Sequence, residues 1–350
     1  MINCWGKRYG SCTQGLLDVF DMMNEQNRSS LGAVAIGRNE GDRLKACLRS
    51  LVTVCDRVVY VDSGSNDDSV AFARELGVLV VELDRSVPFT AARARNAGFE
   101  RLVAGGDPPE FVQFVDGDCR VEAGWLEAGL AALRADAGLG LVTGWRSEIY
   151  PDASVYNALF QLDWRRPAGP IVACGGDMMV RTRAFQEIGG FNPRVIAAED
   201  DEFCLRLGAA GWRLVRLPLN MTWHDAAMTR FGPWWRRTIR DGHGFAQVGF
   251  MHPNHFRRER MRVWVYGLVL PLIFLAGLAY EPRLAVVILA IYALSWYRTA
   301  RGLRQRGVDG RMAMRQAVLL TISKIPNFFG MMIFHVRRLI GDDMKIIEYK

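Results

Sequence analysis

The chain has 350 residues, half of them hydrophobic and 23% charged, a balance that excludes wholesale disorder and collagen-like repeats. Its net charge of +7 is unevenly placed: from His255 onward 16 Lys and Arg face 6 Asp and Glu, whereas the preceding residues carry 28 against 31. A near-neutral body with a basic tail argues against nucleic-acid binding and for a domain leaning on an anionic membrane. The seven cysteines are scattered and form no CxxC pair, so neither a disulfide framework nor a structural zinc site is expected.

Residues 1–29 read as a loose leader with one short helix around residues 16–23. Asp18 and Asp21 interrupt its apolar residues, so no secretory signal is expected and the catalytic part should face the cytoplasm. From Leu31 strands and helices alternate. The apolar run 33–36 precedes a helix over 42–52, a strand over 57–61 and a turn over 62–68. A helix over 69–76, a strand over 78–83, a helix over 90–103 and a strand over 111–115 follow, the last running into Asp116-Gly117-Asp118. Such alternation predicts βαβ units and a mainly parallel central sheet. Ligands bind such sheets at the carboxyl ends of the strands, where Asp62, Asp116 and Asp118 stand.

After Glu259 the texture changes. Residues 263–280 and 284–297 carry no charge and are separated only by Glu281-Pro282-Arg283. Arg257, Arg258, Arg260 and Arg262 precede the first stretch, and Arg298, Arg301, Arg304 and Arg306 follow the second. Basic flanks around a non-basic turn predict a membrane hairpin entered from the cytoplasm. A third stretch, 317–334, contains Lys324 and Pro326 and is expected to lie in the interface. Trp234, Trp235, Arg236 and Arg237 suit the headgroup region.

Several residues carry chemistry. Two carboxylates one residue apart, Asp116 and Asp118, can hold a hard divalent cation that in turn holds a diphosphate, unless they form a solvated turn. Four consecutive acids, Glu199 to Glu202, exceed what a helix N-terminus requires, and a carboxylate there could accept a proton from a hydroxyl. Arg93 and Arg95 are two positions apart on a helix, so only one can face the cleft; arginine there would suit phosphate or simply be solvated. His224 lies beyond the last sheet-like segment, 212–217, and is either structural or a further metal ligand beside Asp118.

These residues resemble the family-2 glycosyltransferases of the GT-A fold. Val34–Glu40, Val61–Asp67, Ala94–Gly98, Val115–Asp118, Gly175-Gly176, Gly189-Gly190-Phe191 and Glu199-Asp200 occur in the family's order, across more than half the chain. With its basic tail, the chain is similar to bacterial members that build exopolysaccharide or envelope glycans on lipid carriers. The resemblance implies a GT-A catalytic domain over 30–255 and a membrane-associated region over 256–350. It implies that Glu40 and Asp62 contact the nucleoside, that Arg95 lies near the diphosphate, and that Asp116 is a ribose- or metal-side acid. Asp118 would be the ligand of Mg²⁺ or Mn²⁺, His224 a further metal contact, Asp200 the catalytic base, Glu199 its neighbour, and Asp177 a contact to donor or acceptor.

The expected activity is inverting transfer of one sugar from a nucleotide-diphosphate sugar to a lipid-linked saccharide, at the inner membrane of a bacterium. Two departures stand out: Asp62-Ser63 replaces a pair of acids, and the QxxRW motif of processive synthases is absent. A sugar-phosphate nucleotidyltransferase and a membrane-tethered scaffold without turnover are the alternatives.

Overall fold

Strand and helix alternate from Leu31 as the apolar pattern demands. The computed structural model describes residues 30–347, so the leader, with its expected helix and Cys4 and Cys12, lies outside the described residues. In chain order come β1 (Leu31–Gly37), α1 (Asp42–Val52), β2 (Arg57–Asp62), α2 (Ser69–Glu75), β3 (Leu79–Glu82), α3 (Ala91–Val103) and β4 (Phe111–Asp116). Then follow β5 (Cys119–Val121), α4 (Trp125–Ala135), β6 (Leu139–Glu148), α5 (Val155–Trp164), β7 (Gly169–Pro170), β8 (Met178–Arg181), α6 (Thr182–Glu187), α7 (Glu199–Ala209) and β9 (Arg213–His224).

α1 shows why these segments form. Leu44, Cys47, Leu48 and Leu51 recur at helical spacing and are all buried. Thr90 caps α3 by accepting the Arg93 amide at 3.1 Å. In β1 the side chains alternate: Ala33 and Ala35 join the core under α1 and α4, and Val34 and Ile36 join the core under α3, α6 and α7. One sheet is thus covered on both faces, and each buried Leu or Phe contributes roughly 1.5–3 kcal/mol.

The strand order is β3-β2-β1-β4-β8-β6-β9-β5, with β7 on β9. β3, β2, β1 and β4 pair parallel, as the alternation predicts. Beyond β4 the sheet is mixed: β8 runs antiparallel to β4 and β6, while β6 and β9 are parallel. β9 also continues past Leu217 to His224, so His224 ends a strand instead of lying beyond it. Pro218 concealed this. It is exposed within the strand, and register shifts around Trp145 accommodate the irregularity.

The chain then leaves the sheet through α8 (Phe231–Met251), α9 (Arg257–Tyr280), α10 (Pro282–Gln305), α11 (Gly310–Ile322) and α12 (Lys324–Ile340). α9 and α10 form a helical hairpin, with Glu281 between them and Gly277 seated against Ala285. Leu275, Leu278, Val286 and Leu289 are each more than half exposed. Three helical stretches, α9, α10 and the α11–α12 run Gly310–Ile340 that includes 317–334, are long and apolar enough to cross a membrane. Trp234 departs from expectation: it is buried against Tyr156 and Phe231, because α8 packs on the body of the protein. α12 crosses α8 where Gly242 meets the Asn327 backbone and Gly330 meets the Ile239 carbonyl. A Cβ at either glycine would overlap those backbone atoms.

Candidate active site

The parallel register brings Gly37, Asp62 and Asp116 to one carboxyl edge of the sheet. A cavity of about 910 Å³ opens there, within the range of small-ligand sites. Glu40, Arg95, Asp116, Asp118, Asp177, Glu199, Asp200 and His224 all line it. α8 contributes Arg237, Arg240 and Asp241, and Ile346 and Ile347 also reach the cavity.

Asp62 is placed differently. The residue is 2% exposed, and its carboxylate accepts hydrogen bonds from Tyr60 Oη and the amides of Gly64 and Ser65, each at 2.9 Å. It organises the turn after β2, and its neighbour Ser63 lines the cavity. Glu40 faces the cavity and pairs with Arg43 at 2.7 Å.

Arg95 is the arginine of α3 that turns inward. Its Nη1 donates to Glu199 at 2.7 Å and its Nη2 to Asp116 at 2.8 Å. Burial opposes its charge, but Asp116 and Glu199 outweigh burial and raise its pKa. Arg93 faces outward and donates to the Val87 and Asp84 carbonyls. Gly176 makes room for this clamp, since a Cβ there would overlap Arg95 Nη2.

A second arginine, Arg146, completes the network and was missed in the sequence. It donates from Nη2 to Asp116 at 3.1 Å and from Nε to Asp177 at 3.0 Å. Asp177 also accepts from the Asp116 amide at 2.9 Å and from Thr222 Oγ1 at 2.7 Å. Its carboxylate is therefore committed to holding β4, β6 and β9 together. Burial works against the charge of Asp116, but Arg95 and Arg146 hold its carboxyl below the ordinary value. Arg146 and Glu148 occupy alternate positions at the end of β6 and point to one face. That spacing beside a sheet edge is the signal that could have found both.

His224 sits opposite Cys119 on one neighbouring strand and Glu148 on the other. Its Nε2 lies 3.3 Å from Asp118 Oδ2, and its Nδ1 is turned toward Glu148 at 3.8 Å. Burial disfavours its charged form, but the Asp118 carboxylate outweighs this and raises its pKa. Trp164 covers the imidazole edge-on at 4.7 Å. Buried Nδ1 has no hydrogen-bond partner. Asp118, Cys119 and His224 offer ligand atoms within 4.8 Å of one another. Burial pushes the Cys119 thiol up, and its soft sulfur suits a hard ion less well than carboxylate or imidazole does. Carboxylate with imidazole is the donor set that remains, and it fits a divalent cation such as Mn²⁺.

Asp200 opens α7 behind Ala198, whose φ of 59° is rare for a residue with a side chain. Burial raises the Asp200 pKa well above the ordinary value, and the neighbouring Glu199 and Asp201 carboxylates raise it further.

The chain is 28% identical over 287 residues to the pre-mycofactocin glycosyltransferase of Mycobacterium tuberculosis, covering 76% of this chain. It spans only 56% of that relative's length. It is 24% identical to glycosyltransferase AglE of Haloferax volcanii over 67% of this chain and 79% of that protein. Among solved structures, mannosyltransferase PcManGT from Pyrobaculum calidifontis, in complex with GDP-Man and Mn²⁺, is similar in fold. Its TM-score is 0.55 at 17% identity, covering 86% of this chain and 88% of that one. The model of glycosyl transferase family 2 matches residues 34–189, over the parallel strands and Asp118. With the glycosyl transferase family group 2 model matching residues 116–332, more than half of the sequence, this chain belongs to glycosyl transferase family 2.

Proposed function

We propose that the chain is an inverting, metal-dependent transferase that moves one sugar from a nucleoside-diphosphate sugar to a hydroxyl of a lipid-linked saccharide. The observation that carries this reading is that the Asp118–His224 pair and the Asp200 carboxylate line the same cavity. The Pyrobaculum neighbour's complex with GDP-Man and Mn²⁺ supports a nucleotide-sugar donor and a divalent cation. Family membership removes the nucleotidyltransferase alternative.

Asp118 and His224 would hold Mg²⁺ or Mn²⁺. When bound, the ion neutralises charge on the diphosphate leaving group. Asp200 accepts the proton of the acceptor hydroxyl, its elevated pKa making it the stronger base. The acceptor oxygen bonds to the anomeric carbon as the carbon–phosphate-oxygen bond breaks, and that electron pair leaves with the diphosphate. Arg95, fixed between Asp116 and Glu199, and Arg146 keep the cavity floor electrostatically set before substrate arrives. Residues 30–255 form the catalytic unit in this reading, and residues 256–350 hold it at the cytoplasmic face of the inner membrane. The three apolar helical stretches support membrane association of that region, and a lipid-linked acceptor would place the activity in exopolysaccharide or envelope-glycan assembly.

The test uses detergent-purified protein, radiolabelled nucleotide sugars and a bacterial lipid extract, with Mn²⁺ or EDTA. Label should enter the lipid phase with the wild type and Mn²⁺, and fall by about 10²–10⁴-fold in Asp200→Asn. Transfer that persists in EDTA overturns the metal assignment. No transfer and no nucleotide binding from any donor returns the scaffold reading.

A further inference from the structure

A second cavity, of about 680 Å³, adjoins the first, and Arg166, Ala173, Asp201, Arg216 and Phe256 line both. Arg216, on β9, is 7% exposed. Among the described residues no carboxylate pairs with it: Nη1 donates to the Pro167 carbonyl at 3.3 Å, and Nε has no hydrogen-bond partner. The titratable groups that face it are the Cys174 and Cys204 thiols and the Arg166 guanidinium. Burial lowers its pKa, and Arg166 adds to the lowering.

The same fold shows how it otherwise treats a buried guanidinium. Arg95 and Arg146 each have two carboxylates within 3.1 Å. An uncompensated buried cation is destabilising unless a ligand supplies the counter-charge. The second cavity is basic as well: Arg257 and Arg258 line it, while its acids are Asp201, bonded to His255 at 3.0 Å, and Glu259. A guanidinium fork matches a phosphate group. Arg257 also opens α9, which runs from this cavity into the apolar stretch, where Met261, Trp264 and Val265 are exposed.

We propose that Arg216 and Arg166 form an anion subsite that takes the phosphate of a lipid-borne acceptor and sets its saccharide beside Asp200. This builds on the transferase reading and gives the phosphate of its lipid-linked acceptor a place in the fold. The phosphate is shared by a lipid phosphate and by free inorganic phosphate, and the experiment separates the two.

Full-length protein in neutral detergent is titrated with dodecyl phosphate, inorganic phosphate or dodecanol, with tryptophan fluorescence and Tm as readouts. Dodecyl phosphate should bind and raise Tm, and Arg216→Gln should weaken it by about tenfold or more. Arg216→Gln should keep or raise the ligand-free Tm, since it removes an unbalanced buried charge. Inorganic phosphate binding as tightly as dodecyl phosphate overturns the lipid source. Dodecanol binding equally well overturns the anion subsite. If Arg216→Gln lowers the ligand-free Tm, Arg166→Gln decides, and unchanged dodecyl phosphate affinity in it overturns the proposal. Mn²⁺-dependent nucleotide binding, measured on the same wild-type samples, reports on the transferase reading separately. Its absence beside intact dodecyl phosphate binding removes that reading alone.

Discussion

The two arginine groups of the cavity contrast in how their charge is met. On the β4–β6 side, Arg95 and Arg146 are clasped by Asp116, Asp177 and Glu199, so every buried charge has its opposite within the protein. On the β9 side, Arg216 has a carbonyl and, among the described residues, no carboxylate. The first group is finished by folding alone and can hold its geometry without ligand. The second is balanced only by something that arrives.

Breaking the finished group should have the largest effect. Arg95→Met leaves Glu199 without its cation and Asp116 with Arg146 alone, and should cost about 3–5 kcal/mol in denaturant unfolding. A loss under about 1 kcal/mol would mean that the clamp is not holding the site together. Gly176→Ala tests the same clamp by crowding. Displacing Arg95 Nη2 should cost about 1–3 kcal/mol and weaken nucleotide binding in parallel.

The pH profile sharpens the contrast. Asp200 must be deprotonated to act as base, so kcat should rise with pH, with a midpoint above the 3.8 of an ordinary aspartate. Asp201→Asn removes one of the charges that raise it, and should move that midpoint down by up to about one pH unit. A midpoint that stays fixed would detach Asp200 from the acid limb. The smallest effect is expected on the exposed hairpin. Leu278→Ala should change stability in detergent by less than about 0.5 kcal/mol, whereas buried Leu207→Ala should cost about 2–5.

Much of the parallel half was legible in the sequence because its cues are local. The helix over Asp42–Val52 follows from four apolar residues at helical spacing, and Asp116 and Asp118 from a strand that ends in acids. Arg95, Glu199, Asp200 and His224, picked out separately, converge on one cavity. What stayed hidden depends on register across long separations. Arg146 reads as one more charge in a strand until β6 pairs with β8 and sets it beside Asp177. Arg216 carries no motif, and its isolation exists only once its neighbours are in place. Pro218 truncated a strand that the sheet continues regardless.

The glycine seats between α8 and α12 have a mechanical consequence. At Gly242 and Gly330 the two helices touch backbone to backbone, and Gly267 of α9 rests in the same way on the Lys324 carbonyl. Side chains absorb small displacements by changing rotamer, but backbone contacts have no such slack. A tilt of α9 is therefore passed through α12 to α8, whose Arg237, Arg240 and Asp241 line the cavity, with no soft layer in between to dissipate it.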